Sequence, residues 1–169
     1  AGTLHPIPLI NEVKKVFDKK IVLSGCLSTG RDIASAIQMG ADMAYMGTRF
    51  INVEESLADE EYKKMIMDSG AEDIVYTAAV SGVNANFLRP SLEAMGITQE
   101  RWSENKKIDF GTELDALSEE AKAWKTIWSA GQGVTSIKDN VRISDLIGKL
   151  KSEFLDAIRS QQELLNFYK

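Results

Sequence analysis

The chain has 169 residues, a formal net charge of −5 and an isoelectric point near 5.0. That length supports one sizeable core, burying about 70 % of the surface the unfolded chain exposes. The negative balance excludes nucleic acid and an anionic membrane surface as partners, because both demand a cationic face. The single cysteine, Cys26, cannot form an internal disulfide. These residues hold no signal peptide and no long apolar span, which suits a cytoplasmic enzyme.

The first eight residues, AGTLHPIP, read as a loop with two X-Pro steps, and a helix is predicted from near Leu9 with Val13, Val16 and Phe17 on one face. A strand is predicted over Ile21 to Leu23, where a β-branched and apolar run meets Ser24 and Gly25. Ile33, Ala34 and Ile37 then recur at helical spacing, with Thr29 able to cap the start and Gly40 able to take the left-handed conformation that stops a helix. A second strand, Ala41 to Met46, meets Gly47 and Thr48.

A helical crossover joins parallel strands, so Gly25 and Gly47 are predicted at the same, carboxyl edge of one sheet. Glycine leaves backbone N–H groups open to an anionic ligand such as a phosphate, with no Cβ in the way. The spacing is not that of a Walker loop, which needs Lys after its last Gly, nor of GxGxxG. On spacing alone, a turn-forming role for both glycines is an equal alternative.

Beyond Phe50, Ser56 or Asp59 can cap a helix carrying Tyr62, Met65 and Ile66, with Gly70 beyond its end. Ile74 to Tyr76 is short enough to be read either way, and is assigned here to helix and loop. Pro90 suits the first turn of a short helix through Met95 that Gly96 stops, and Thr98 can cap the next. Residues 103–118 are polar and aperiodic. Ala121, Trp124 and Trp128 make an aromatic helical face, followed by the turn Gly131, Gln132, Gly133. A last helix is predicted from Ser144 to about Asn166, with Ile147, Leu150, Phe154 and Ile158 on one stripe.

The blocks SGCLSTGR, GADMAYMGTRF and EES, in that order, resemble the nitronate monooxygenase family, the flavoproteins formerly called 2-nitropropane dioxygenases. AGTLHP, AEDIVYT, SGVNANFL and AKAWKTIWSAGQG extend the resemblance over nearly the whole chain. It implies an α/β fold, the C-terminal portion of a (β/α)8 TIM barrel, with a mostly helical insertion after the last strand. A complete barrel typically needs about 250 residues, so the chain is expected to complement a missing N-terminal half. The implied organisation is a barrel segment over 1–50, a helical insertion over 51–128, and a return to the barrel over 129–169.

The resemblance implies FMN as cofactor, alkyl nitronate and O2 as substrates, and a cofactor site formed by Gly2, Gly25, Cys26, Tyr45, Met46, Gly47, Thr48 and Gln132. The family's catalytic base is a histidine expected just before Ala1, so no catalytic residue is assigned within the chain. His5, the only histidine, aligns with a position the family does not use for chemistry. Arg31 and Arg49 are read as solvated or paired on the rim in preference to phosphate ligands. No Cys/His cluster or GxSxG elbow supports a metal site or hydrolytic triad. Two alternatives stand beside this reading: an FMN-dependent enoyl-thioester reductase, and a non-catalytic half-barrel that binds phosphate or a partner chain.

Overall fold

The amino-terminal part of the chain builds one parallel unit from α1 (Pro6–Val16), β1 (Val22–Ser24), α2 (Gly30–Gln38), β2 (Met43–Tyr45) and the single turn α3 (Thr48–Ile51). It is seen in a computed structural model that describes residues 2–80, 82–103 and 127–168. The strands pair in parallel with Val22 opposite Met43, Leu23 opposite Ala44 and Ser24 opposite Tyr45. The predicted strand–helix–strand order is therefore present, with shorter strands than the apolar runs suggest.

Local chemistry explains α2. The Thr29 hydroxyl accepts from Asp32 N at 3.1 Å, while the Asp32 carboxylate accepts from Thr29 N at 2.9 Å and Ser28 N at 2.8 Å. This reciprocal cap satisfies the otherwise unpaired first N–H groups of the helix. Gly40, at φ +101°, ends it.

One face of the parallel pair is covered and the other is open. Leu23 is buried with Ile10, Leu27, Ala36 and Ala41, with Ala44 packed against that cluster. Strand alternation turns Val22, Met43 and Tyr45 the other way, where they are 50 %, 51 % and 63 % exposed. In α1 the buried residue is Ile10, and Val16 is 87 % exposed. The predicted Val13, Val16 and Phe17 face is therefore not the packed one. The helix also starts earlier than Leu9, because proline is tolerated in a first turn whose N–H groups lack intrahelical partners.

The middle of the chain corrects an expectation. After α4 (Glu60–Asp68), capped by Asp59, the run read as helix and loop is a strand, β3 (Ile74–Thr77). It pairs antiparallel with β4 (Ala85–Leu88), Ile74 opposite Leu88 and Tyr76 opposite Asn86. The insertion is thus not mostly helical over its described residues. A short apolar run carries too little periodicity to show a strand, and its partner opens with Ala and Asn, both weak strand formers. Phe87 and Leu88 are fully buried. The short helix α5 (Arg89–Ala94) follows with proline in its first turn, and Gly96 at φ +73° lies just beyond it. Thr98 precedes only a short 3-10 turn, Gln99–Arg101. Ala121 and Trp124 lie outside the described residues, and Trp128 lies outside any helix or strand, stacked on Tyr62 with ring centroids 5.1 Å apart.

The last helix, α6 (Ile143–Phe167), runs against α2. Its buried residues are Leu146, Leu150 and Ala157; of the predicted stripe Leu150 is buried and Phe154 half-buried, while Ile147 and Ile158 are exposed. Gly30 explains how closely the two helices meet. A Cβ there would lie 2.1 Å from the Leu150 carbonyl oxygen, and its N–H donates to Glu153 Oε2 at 2.7 Å. Among the described residues no helix is long and apolar enough to cross a membrane.

Candidate functional site at the carboxyl edge of the parallel pair

Both strands of the parallel pair end in glycine at one edge, as their spacing requires. Gly25 takes φ +94°, a conformation glycine adopts without strain. Gly47 is different, since its φ of −99° and ψ of −68° are open to any residue. A Cβ at either position would meet nothing within 4 Å. The fold itself therefore does not call for glycine at Gly47, and the main chain there is open to an approaching group.

A third segment ties these strand ends together. Gln132 N donates to the Gly25 carbonyl at 2.7 Å, Gly131 N donates to Thr48 Oγ1 at 2.9 Å, and Ser28 Oγ donates to the Gly133 carbonyl at 2.8 Å. The contact is close enough to require glycine. A Cβ on Gly131 would lie 2.5 Å from the Gly25 oxygen, and one on Gly133 would lie 2.5 Å from Ser28 Oγ. The turn read from the sequence as Gly131–Gln132–Gly133 thus bridges both strand ends.

Gly2, Gly25, Cys26 and Gln132 line one cavity of about 90 Å³ at this edge. Leu4, Pro6, Leu9 and Leu23 give it an apolar side. Asn86, from β4, adds a second amide opposite the loop of Gln132, and sequence reasoning missed it. Its signal is faint, because an asparagine inside a short strand is normally taken for a turn residue.

The remaining predicted site residues lie on the other strand. Gly47 is exposed at the β2 end, and Thr48 spends its hydroxyl on Gly131. Tyr45 projects from the open face of the pair. Met46 packs its side chain with Ala44, Phe50 and Leu150 toward α6, so only its backbone is available at the edge.

Burial raises the Cys26 thiol above its ordinary value, and the Asp32 charge raises it further. A raised value keeps the thiol protonated, the opposite of what a nucleophilic cysteine needs. His5 caps α1 by accepting from Ile7 N at 3.4 Å. Arg49 is 2 % exposed and pairs with Asp139, Nη2 to Oδ1 at 2.8 Å, and Arg31 is exposed. Among the described residues no cluster of three or more His, Cys, Asp or Glu could hold a metal ion.

A parallel α/β unit with a glycine-edged cavity at its strand ends places the chain in the α/β class. The sequence matches the nitronate monooxygenase family over residues 2–153, and the chain belongs to that family. It is 27 % identical over 152 residues to a nitronate monooxygenase of Paraburkholderia phytofirmans, covering 86 % of this chain and 41 % of that protein. A probable nitronate monooxygenase of Staphylococcus aureus is 32 % identical over 81 residues, covering 48 % of this chain and 22 % of that protein. Among solved structures, FabK from Thermotoga maritima superposes with a TM-score of 0.73 at 24 % identity, over 96 % of this chain and 53 % of FabK. A nitroalkane oxidase from Streptomyces ansochromogenes gives 0.71 at 24 % identity, over 92 % of this chain and 45 % of the oxidase. At such identities the structural likeness speaks to fold alone. The chain spans about half the length, or less, of these relatives.

Proposed function

We propose that this chain is the C-terminal portion of a (β/α)8 barrel that binds FMN and oxidises alkyl nitronates with O2. The observation that carries the reading is the loop of Gln132, which hydrogen-bonds to the ends of both parallel strands at once, at Gly25 and Thr48. Such a junction supports a single ligand spanning both ends. The open face of Val22, Met43 and Tyr45 supports the barrel, because inward-pointing residues of a barrel strand are covered only when the remaining strands are present.

The residues fit the cofactor. The open main chain at Gly25, Cys26, Gly47 and Thr48 can receive the phosphate, since nothing occupies the space a Cβ would fill at either glycine. The Gln132 amide can donate to and accept from ring heteroatoms, and Gly2 leaves room beside it. FMN, when bound, supplies the electron transfer from substrate and the reaction with O2. The chain's own residues hold and orient. Leu4, Leu9 and Leu23 give the cavity one apolar side, and the loop of Gln132 fixes the donor geometry. The family resemblance assigns proton abstraction to a histidine other than His5, whose Nδ1 accepts from Ile7 N at the start of α1.

Oxygen uptake by the complete product of the reading frame that carries this chain is the test, with ethyl and propyl nitronate as substrates. Flavin-dependent uptake supports the reading. NADH consumption with an enoyl thioester, and no uptake with nitronates, would replace it with the reductase. A protein that binds no flavin and turns over neither substrate would leave the non-catalytic half-barrel.

A further inference from the structure

Asn86 is the feature of the cavity that the cofactor does not explain. It stands on β4, opposite Tyr76, followed directly by Phe87 and Leu88, both fully buried. The strand is held to the loop of Gln132 by a bridge between Phe87 and Ser129 and by Leu88 N donating to the Trp128 carbonyl at 2.9 Å. Asn86 therefore presents its amide from a fixed wall. Among the described residues neither the Asn86 nor the Gln132 side-chain amide is committed to a hydrogen bond. Two uncommitted amides face a cavity whose other side chains are mostly apolar, which is the lining a small anion on a short apolar chain would select.

Resting on the proposed function, we propose that Asn86 is a specificity-determining residue that donates its side-chain N–H to an oxygen of the substrate's anionic head. The substrate class this defines bears two terminal oxygens sharing one negative charge, on an alkyl chain that lies against Leu4 and Leu9. An amide is suited to this task, because it donates to an anion without the strong hydration of a lysine ammonium. A hydrogen bond to a charged group is also among the stronger kind.

The test is a calorimetric titration of the complete protein with butyrate, an unreactive carboxylate of the same shape as a nitronate, in the wild type, Asn86→Ala and Asn86→Asp. Asn86→Ala is expected to weaken binding at least tenfold, and Asn86→Asp more, since it adds a like charge. Flavin content and Tm should stay at wild-type values in Asn86→Asp, which keeps the shape of the side chain. Equal affinity in all three proteins, or a wild type that fails to bind butyrate, overturns the assignment. Loss of flavin in Asn86→Asp also overturns it, by making Asn86 a cofactor ligand. A wild type purified without FMN contradicts the proposed function instead, and the butyrate affinities still decide the role of Asn86.

Discussion

The backbone N–H of Gly131 donates to Thr48 Oγ1 at 2.9 Å, so the loop that carries Gln132 hangs on the residue next to Gly47. Replacing the hydroxyl by a methyl in Thr48→Val keeps the volume and removes the acceptor. The partly buried N–H of Gly131 is then left unpaired, at an expected cost of about 1–3 kcal/mol. Thr48→Ser should recover most of that loss. Thermal unfolding of the three proteins checks it, and equal Tm values for Thr48→Val and the wild type would show that the loop is held otherwise.

Two glycines in helix and loop should respond oppositely to alanine. A Cβ at Gly131 would lie 2.5 Å from the Gly25 carbonyl oxygen, a backbone atom that cannot swing aside. Gly131→Ala should destabilise by about 1–3 kcal/mol, as overpacking does. Gly148, inside α6, has nothing within 4 Å of its Cβ position. Gly148→Ala should stabilise by about 0.5–1 kcal/mol through helix propensity. Urea midpoints moving in the same direction for both would contradict the packing described here.

Asp139 should govern part of the acid limb of stability. Its carboxyl is held below the usual value of 3.8, first by the hydrogen bond from Lys149 and then by the charge of Arg49, against the opposing effect of burial. A depressed folded-state value means the ionised form contributes stability that is fully present above the unfolded value and is lost as pH falls through the folded one. Asp139→Asn should therefore lower stability at pH 7 and flatten its decline below about pH 4. The carboxylate is 36 % exposed and solvent screens it, and the buried Arg49 guanidinium keeps its bond to the Asp139 carbonyl while losing the carboxylate, so the neutral-pH loss should be about 1–2 kcal/mol. Denaturant titrations at pH 7 and pH 3 would refute this if the two proteins declined in parallel.

His5→Ala should leave turnover of the complete enzyme within about threefold, because loss of a general base typically costs 10²-fold or more. The residue's visible role is the α1 cap, worth about 1 kcal/mol at most. Steady-state rates with a nitronate decide it, and a hundredfold fall in a folded protein would make His5 the base.

The parts of the fold legible in the sequence are those whose chemistry is local. Thr29, Asp32 and Gly40 announce both ends of α2 without any tertiary contact. Gly25 and Gly47 announce the shared carboxyl edge of β1 and β2, because strands joined by a helical crossover run parallel. The β3–β4 pair was not legible, since its stability comes from burying Phe87 and Leu88 against distant residues rather than from periodicity. Asn86 was hidden with it. The open stripe of α1 and α6 misled for a related reason: Val16, Ile147 and Ile158 are apolar but lie on surfaces this chain leaves uncovered.

Gly47→Asp tests most directly whether the main chain at Gly47 receives the cofactor phosphate, as proposed. In the fold alone aspartate should be tolerated, because the φ and ψ of Gly47 are open to any residue and a Cβ there meets nothing within 4 Å. As a neighbour of a phosphate it should be strongly unfavourable, adding bulk and negative charge where the anion sits. Titration of the flavin-free complete protein with FMN, followed by quenching of flavin fluorescence, is expected to show affinity lowered at least a hundredfold in Gly47→Asp with an unchanged Tm. Wild-type affinity in a stable Gly47→Asp protein would contradict the account.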